Sequence, residues 1–107
     1  MIPARPEQSA VRREQFPLRC PYIAPRTPTE RRLAEIWRIV LSMDRVGVED
    51  SYHDLGGDSF LATTMFSMIE ESFQITIPMA TLVEASTIAA LAQRIDLLLS
   101  DQPGVEP

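Results

Sequence analysis

Cysteine occurs once in this chain of 107 residues, at Cys20, and histidine once, at His53. An internal disulfide is therefore impossible, and a structural zinc site built from Cys and His has too few ligands. A lone thiol suits a reducing compartment, so the expected location is cytoplasmic. No apolar run approaches the roughly 20 residues needed to cross a bilayer, so no membrane partner is expected. The N-terminal stretch "MIPARPEQSAVRREQF" lacks the unbroken apolar segment of a secretory signal. Positive charge is also missing from one long stretch. Residues 46–93 contain neither lysine nor arginine but carry seven acids, whereas residues 1–45 carry nine arginines and five acids. The resulting negative field repels nucleic acid and suits a basic protein surface, although a plain solubilising face has the same composition.

What is present divides the chain into three parts. Residues 1–26 hold five of the nine prolines with scattered arginines and no sustained periodicity. They read as a Pro/Arg-rich flexible leader or linker. Order begins at "TPTERRLAEIWRIVL", where Thr27 followed by Glu30 matches a capping box and Pro28 takes the first helical position. Leu33, Ile36, Trp37, Val40 and Leu41 then form one apolar helical stripe. The connection "SMDRVGVEDSYHDLGGD" is long for a compact domain. Val46, Val48, Tyr52 and Leu55 could pin it, and Gly47, Gly56 and Gly57 mark turns.

Asp58 or Ser59 is a natural cap for the next helix, "SFLATTMFSMIEESF". Leu61, Met65, Met68, Ile69 and Ser72 share the face expected in the core. Phe60, Thr63, Thr64, Ser67 and Glu71 share the other. "FQITIP" alternates like a strand but has no partner, so it reads as an extended connection. Pro78 can open a short turn, "MATLVEA". Ser86 would then cap "TIAALAQRIDLLL", with Ile88, Leu91, Ala92, Ile95 and Leu98 at helical spacing. Residues 100–107 read as a disordered tail. The expected fold is all-α, a small four-helix bundle over 27–99 with a long first loop and a short third helix.

The stretch "DLGGDSFL" places one hydroxyl, Ser59, between a glycine turn and a helix start. Unpaired backbone N–H groups and the helix dipole there would tolerate a phosphate ester despite the neighbouring acids. From spacing alone, a Ser59 that does nothing but cap the helix is the favoured reading. A hydrolase elbow, G-x-S-x-G, needs glycine where this chain has Leu61, and His53 is a lone loop histidine. The G-K-[ST] ending of a phosphate-binding P-loop is missing. Asp50, Asp54 and Asp58 do not follow the alternation of a calcium-binding EF-hand loop. No catalytic constellation and no metal site is expected.

Three blocks, "YIAPRTPTERRLAEIW", "RVGVEDSYHDLGGDSFLAT" and "IPMATLVEASTIAALAQRI", occur in this order over about residues 22–97. Together they resemble the carrier (thiolation) domains of nonribosomal peptide synthetases and their acyl-carrier relatives. The resemblance implies a covalent 4′-phosphopantetheine, moved from coenzyme A onto Ser59 by a phosphopantetheinyl transferase. It implies a non-catalytic, monomeric carrier that holds aminoacyl, peptidyl or acyl groups as thioesters. Its partners would be adenylation, acyltransferase or ligase enzymes and downstream condensing or transferring enzymes. Asp58 matches the aspartate often found before the attachment serine and is assigned to transferase recognition, with Gly57 beside it. Phe60 stands where the family usually shows an exposed Leu or Ile, so the docking face would comprise Phe60, Thr63, Thr64, Ser67 and Glu71. A core role for Phe60 is equally open. Tyr52 and His53 replace a common aromatic pair, with Tyr52 expected to pack and His53 to be incidental. Glu70 and Glu71 lean towards acyl carriers of polyketide or specialised fatty-acid pathways. The other blocks lean towards peptide synthesis. A helical interaction module whose Ser59 is never modified is the rival of a different class.

Overall fold

The computed structural model describes residues 11–18 and 20–100. Four α-helices follow one another: α1 (Pro28–Leu41), α2 (Ser59–Phe73), α3 (Thr81–Glu84) and α4 (Ile88–Ser100). α1 packs against both α2 and α4. Among the described residues there are two isolated β-bridges, Val11 with Met43 and Ser51 with Thr87, and no strand. "FQITIP" accordingly ends α2 and continues as an extended connection, with Ile75 and Ile77 buried.

α1 begins as its sequence dictates, with Pro28 at its start and the Thr27 hydroxyl accepting the Glu30 N–H at 3.0 Å. The Glu30 carboxylate reaches back to the Arg26 N–H at 2.8 Å. Burial alone would push the Glu30 carboxyl up, but the Arg26 backbone and guanidinium hold it below the ordinary carboxylate range. The stripe Leu33, Ile36 and Trp37 is buried, and Val40 and Leu41 pack at its margin.

α2 turns inward a face that shares Met65 and Ile69 with the expected one and adds Ala62 and Phe66. Ala62, Met65, Phe66 and Ile69 are buried, while Leu61, Met68 and Ser72 are only half-buried. The buried set follows i, i+3, i+4, i+7, so the helical period holds, and packing against α1 sets which of two adjoining apolar stripes faces in. In α4, Ile88, Leu91, Ala92 and Ile95 enter the core and Leu98 sits at the rim. Its cap is Thr87, whose hydroxyl accepts the Ala90 N–H at 3.2 Å. Ser86 was the expected cap, but it uses its carbonyl to accept the Tyr52 N–H at 2.8 Å.

The long connection 42–58 is pinned from within: Met43, Val46, Val48, Tyr52 and Leu55 all join the core. The leader is the larger departure. Its residues 1–10 lie outside the described ones, as do 101–107 of the tail, and Ser100 closes α4. The described part of the leader packs onto the 42–58 loop and is not a loose segment. Phe16, Leu18 and Ile23 pack against the core, and Val11 exchanges backbone hydrogen bonds with Ser42 and Asp44. Arg13 is buried against Asp50, its Nε and Nη2 each 2.6 Å from a carboxylate oxygen. Burial alone would push the Asp50 carboxyl up. The Arg13 guanidinium, the Gly47 N–H and the Cys20 thiol together hold it below the ordinary range. Proline spacing gave no hint of this strap, because its main anchor is one arginine meeting one carboxylate 37 residues away.

Candidate functional site

The glycine turn is built around Tyr52. The Tyr52 carbonyl accepts the Gly57 N–H at 3.1 Å and the Leu55 N–H at 3.3 Å, closing the chain into a tight loop. Gly56 has φ of 82°, a left-handed conformation that a side chain would strain. Gly57 is required for a different reason: a Cβ there would overlap the Tyr52 ring, 2.6 Å from Cε1. Gly57→Ala should therefore cost about 1–3 kcal/mol, the usual penalty for forcing atoms into filled space. Thermal denaturation would read that loss, and an unchanged midpoint would remove the ring from beneath the turn.

Asp58 is extended and serves as the N-cap of α2, its carboxylate accepting the Leu61 N–H at 2.8 Å. With the cap supplied by Asp58, Ser59 becomes the first helical residue, and it is exposed. Its hydroxyl stands at the positive end of the helix dipole. An open cavity of about 290 Å³ lies beside it, lined by Tyr52, Asp58, Ser59, Ala62, Met79 and Val83 among others. His53 also faces this cavity and meets the Tyr52 ring edge-on at 5.7 Å.

The residues expected on the outer face of α2 are there. Thr63, Thr64, Ser67 and Glu71 are exposed, and Phe60 is 69 % exposed, which excludes a core role for that ring. Sequence reasoning missed Met79 and Val83, which add exposed apolar surface at the cavity beside Ser59. Val83 follows buried Leu82 in a one-turn helix and points about 100° away from it, outward. The acidic field is also smaller than its seven carboxylates implied. Asp50 is paired with Arg13 and Glu84 with Arg94, while Glu70 accepts the Ile77 N–H at 3.0 Å. Of the two neighbouring α2 acids, only Glu71 stands fully on the outer face.

An exposed serine one residue past an aspartate cap, after Gly-Gly, can accept a bulky anionic group without disturbing the core. Comparison with known proteins identifies the group. The sequence model of the family described as "Phosphopantetheine attachment site" matches residues 31–95. This chain belongs to that family. Its prosthetic group is 4′-phosphopantetheine, and the carrier domain's residues fit it: Ser59 and Phe60 are exposed at the start of α2, and its cap does not depend on Ser59. The carrier domain is 45 % identical over 74 residues to gramicidin S synthase 2 of Brevibacillus brevis, a match covering 69 % of this chain and 2 % of that protein. It thus spans about one fiftieth of the length of that relative. Among solved structures, it resembles an active-site mutant of a peptidyl carrier protein at a TM-score of 0.72 and 30 % identity, covering 81 % of this chain and 96 % of that one. It also resembles the peptidyl carrier protein in complex with the phosphopantetheine transferase Sfp and coenzyme A, at a TM-score of 0.69 and 33 % identity, covering 71 % and 99 % of the two chains. Among the described residues no helix is long and apolar enough to cross a membrane.

Proposed function

We propose that this carrier domain holds aminoacyl or peptidyl groups on an arm attached to Ser59 and delivers them between enzymes of nonribosomal peptide synthesis. The observation that carries the reading is an exposed Ser59 at the first position of α2, with the cap made by Asp58. In the loading step the Ser59 oxygen attacks the pantetheine-bearing phosphorus of coenzyme A. The pyrophosphate P–O bond breaks, adenosine 3′,5′-bisphosphate leaves, and the serine proton passes to a base on the transferase. When bound, the arm supplies a terminal thiol for a thioester. The chain's own residues present the hydroxyl, hold the turn and offer a docking face, and they make and break no bonds in the cargo. Tethering turns bimolecular encounters into a high effective concentration at each partner site.

Asp58 contributes to transferase recognition, and Gly57 gives the approach its narrow backbone. The docking face is Phe60, Thr63, Thr64, Ser67 and Glu71, extended by Met79 and Val83. Partners are a phosphopantetheinyl transferase, an adenylation enzyme and a downstream condensing enzyme, met by a cytoplasmic monomer. The folded unit under this reading runs from the strap at residue 11 to the end of α4, wider than 27–99. Glu70, turned towards the Ile77 backbone, adds little acidity to the outer face of α2, which weakens the case for a polyketide or fatty-acid carrier.

Incubation with coenzyme A and a broad-specificity transferase, followed by intact mass and peptide mapping, tests the proposal. One phosphopantetheine on the peptide containing Ser59 is expected. No gain, with the transferase active on a control carrier, would favour an unmodified interaction module. Docking has its own test. Phe60→Ala should slow loading or transfer while changing stability by no more than about 0.5 kcal/mol, as for a surface substitution. A loss of about 3–5 kcal/mol, the cost of truncating a buried aromatic, would place the ring in the core instead.

A further inference from the structure

The attachment reading leaves open what holds Ser59 in place. Ser59 and its cap are both exposed, and they stand at the end of a turn containing two glycines. Tyr52 links that turn to the core. Its hydroxyl donates to the Asp58 carbonyl at 2.7 Å, and the same carbonyl accepts the Ala62 N–H at 3.0 Å, an early backbone bond of α2. Its own carbonyl holds the Leu55 and Gly57 N–H groups, and its ring fills the space over Gly57. On the other side the ring meets Trp37 edge-on at 5.5 Å, and the Tyr52 N–H is fixed to Ser86 between α3 and α4. Tyr52 is 1 % exposed.

We propose that Tyr52 is a positioning residue for loading, its hydroxyl gripping the Asp58 carbonyl so that Ser59 is presented to the transferase in one orientation. The inference rests on Ser59 being the attachment site. Ring packing alone would hold the turn near the core, but only the hydroxyl reaches the peptide group joining Asp58 to Ser59. Burial pushes the Tyr52 phenol up, with the Asp58 charge acting in the same direction, so it stays protonated and able to donate throughout the physiological range. Without that bond the turn would sample orientations the transferase cannot use. The apparent affinity for the carrier falls by the fraction that remains competent, whereas a carrier once bound correctly reacts as before.

Tyr52→Phe keeps the ring over Gly57 and against Trp37 and removes only the donor. The Asp58 carbonyl retains the Ala62 N–H, so the fold should survive. Steady-state loading with coenzyme A and a broad-specificity transferase should show KM for the carrier raised about fivefold, the scale of one lost hydrogen bond, with kcat within twofold. The comparison is made at a temperature where both proteins are fully folded, so a merely structural role would leave KM unmoved. An unchanged KM, or a fall in kcat alone, overturns the proposal. A wild type that does not load at all overturns the attachment reading instead. Should the Phe variant fail to fold, the wild type still decides the matter by NMR. A Tyr52 hydroxyl proton protected from solvent exchange supports the grip, and one exchanging too fast to observe in the cold refutes it.

Discussion

Ser59→Ala should take up no phosphopantetheine while keeping the wild-type fold. The two halves of this expectation come from separate observations. Loss of loading follows from removing the one hydroxyl at the first position of α2. Retention of the fold follows from Asp58 being the cap, since its carboxylate holds the Leu61 N–H and nothing in the helix start depends on Ser59 Oγ. Alanine is the best helix former, so an exposed first-turn position loses nothing by the change. A surface substitution of this kind moves stability by no more than about 0.5 kcal/mol. For a domain of this size that is about 2–4 °C in the thermal midpoint. Intact mass after transferase treatment and a melting curve check both halves. A variant that still gains the arm would move attachment to another hydroxyl, such as exposed Ser67 on the same helix. A variant that unfolds would mean that the serine supports the helix and is not merely presented by it.

Arg13→Met should lower the thermal midpoint by more than about 10 °C. Arg13 and Asp50 are both buried, their side chains 9 % and 0 % exposed, and they pair through two hydrogen bonds. Removing one partner of such a pair costs about 3–5 kcal/mol, because the other charge is left without its counterion away from water. Each kcal/mol is worth about 4–8 °C in a domain this small. In the variant Asp50 would keep the Gly47 N–H at 2.8 Å and the weak Cys20 thiol at 3.4 Å. The double variant Arg13→Met/Asp50→Leu should recover most of the loss, since a buried ion pair is often replaceable by apolar residues. A midpoint within about 2 °C of wild type in the single variant would mean that the strap is held by its backbone and apolar contacts alone.

The same pair predicts a pH signature. The folded Asp50 carboxyl binds its proton less readily than the unfolded one. Its contribution is therefore complete above the unfolded value of about 3.9 and is lost as pH falls through the lower folded value. In Arg13→Met the buried carboxyl favours its neutral form, so acid relieves the variant. Denaturation curves of the two proteins should be far apart at neutral pH and converge below about pH 4. The strap also reaches the functional end of the molecule, with Phe16 lying over Gly56 in the turn that leads to Ser59.

Much of this protein is determined by local chemistry. Thr27 and Pro28 start α1, and the spacing of Leu33, Ile36 and Trp37 selects its buried face. The valines, Tyr52 and Leu55 pin the first loop, and "GGDS" places a hydroxyl at a helix start. Each is legible in a short stretch of chain, although the loop residues find their contacts only in the folded core and the resemblance to carrier domains singled out Ser59. Tertiary structure decided whatever depends on partners far away in sequence. It set which apolar stripe of α2 turns inward, drawing in Ala62 and Phe66 beside Met65 and Ile69 and leaving Phe60 outside. It bound the proline-rich leader to the bundle through Arg13 and Asp50, and it turned Glu70 towards the Ile77 N–H. It also set the Tyr52 hydroxyl on the Asp58 carbonyl. A buried charge pair or a shared carbonyl leaves no periodic trace in a sequence, because its energy depends on distance and exclusion of water, and both exist only once the chain has folded.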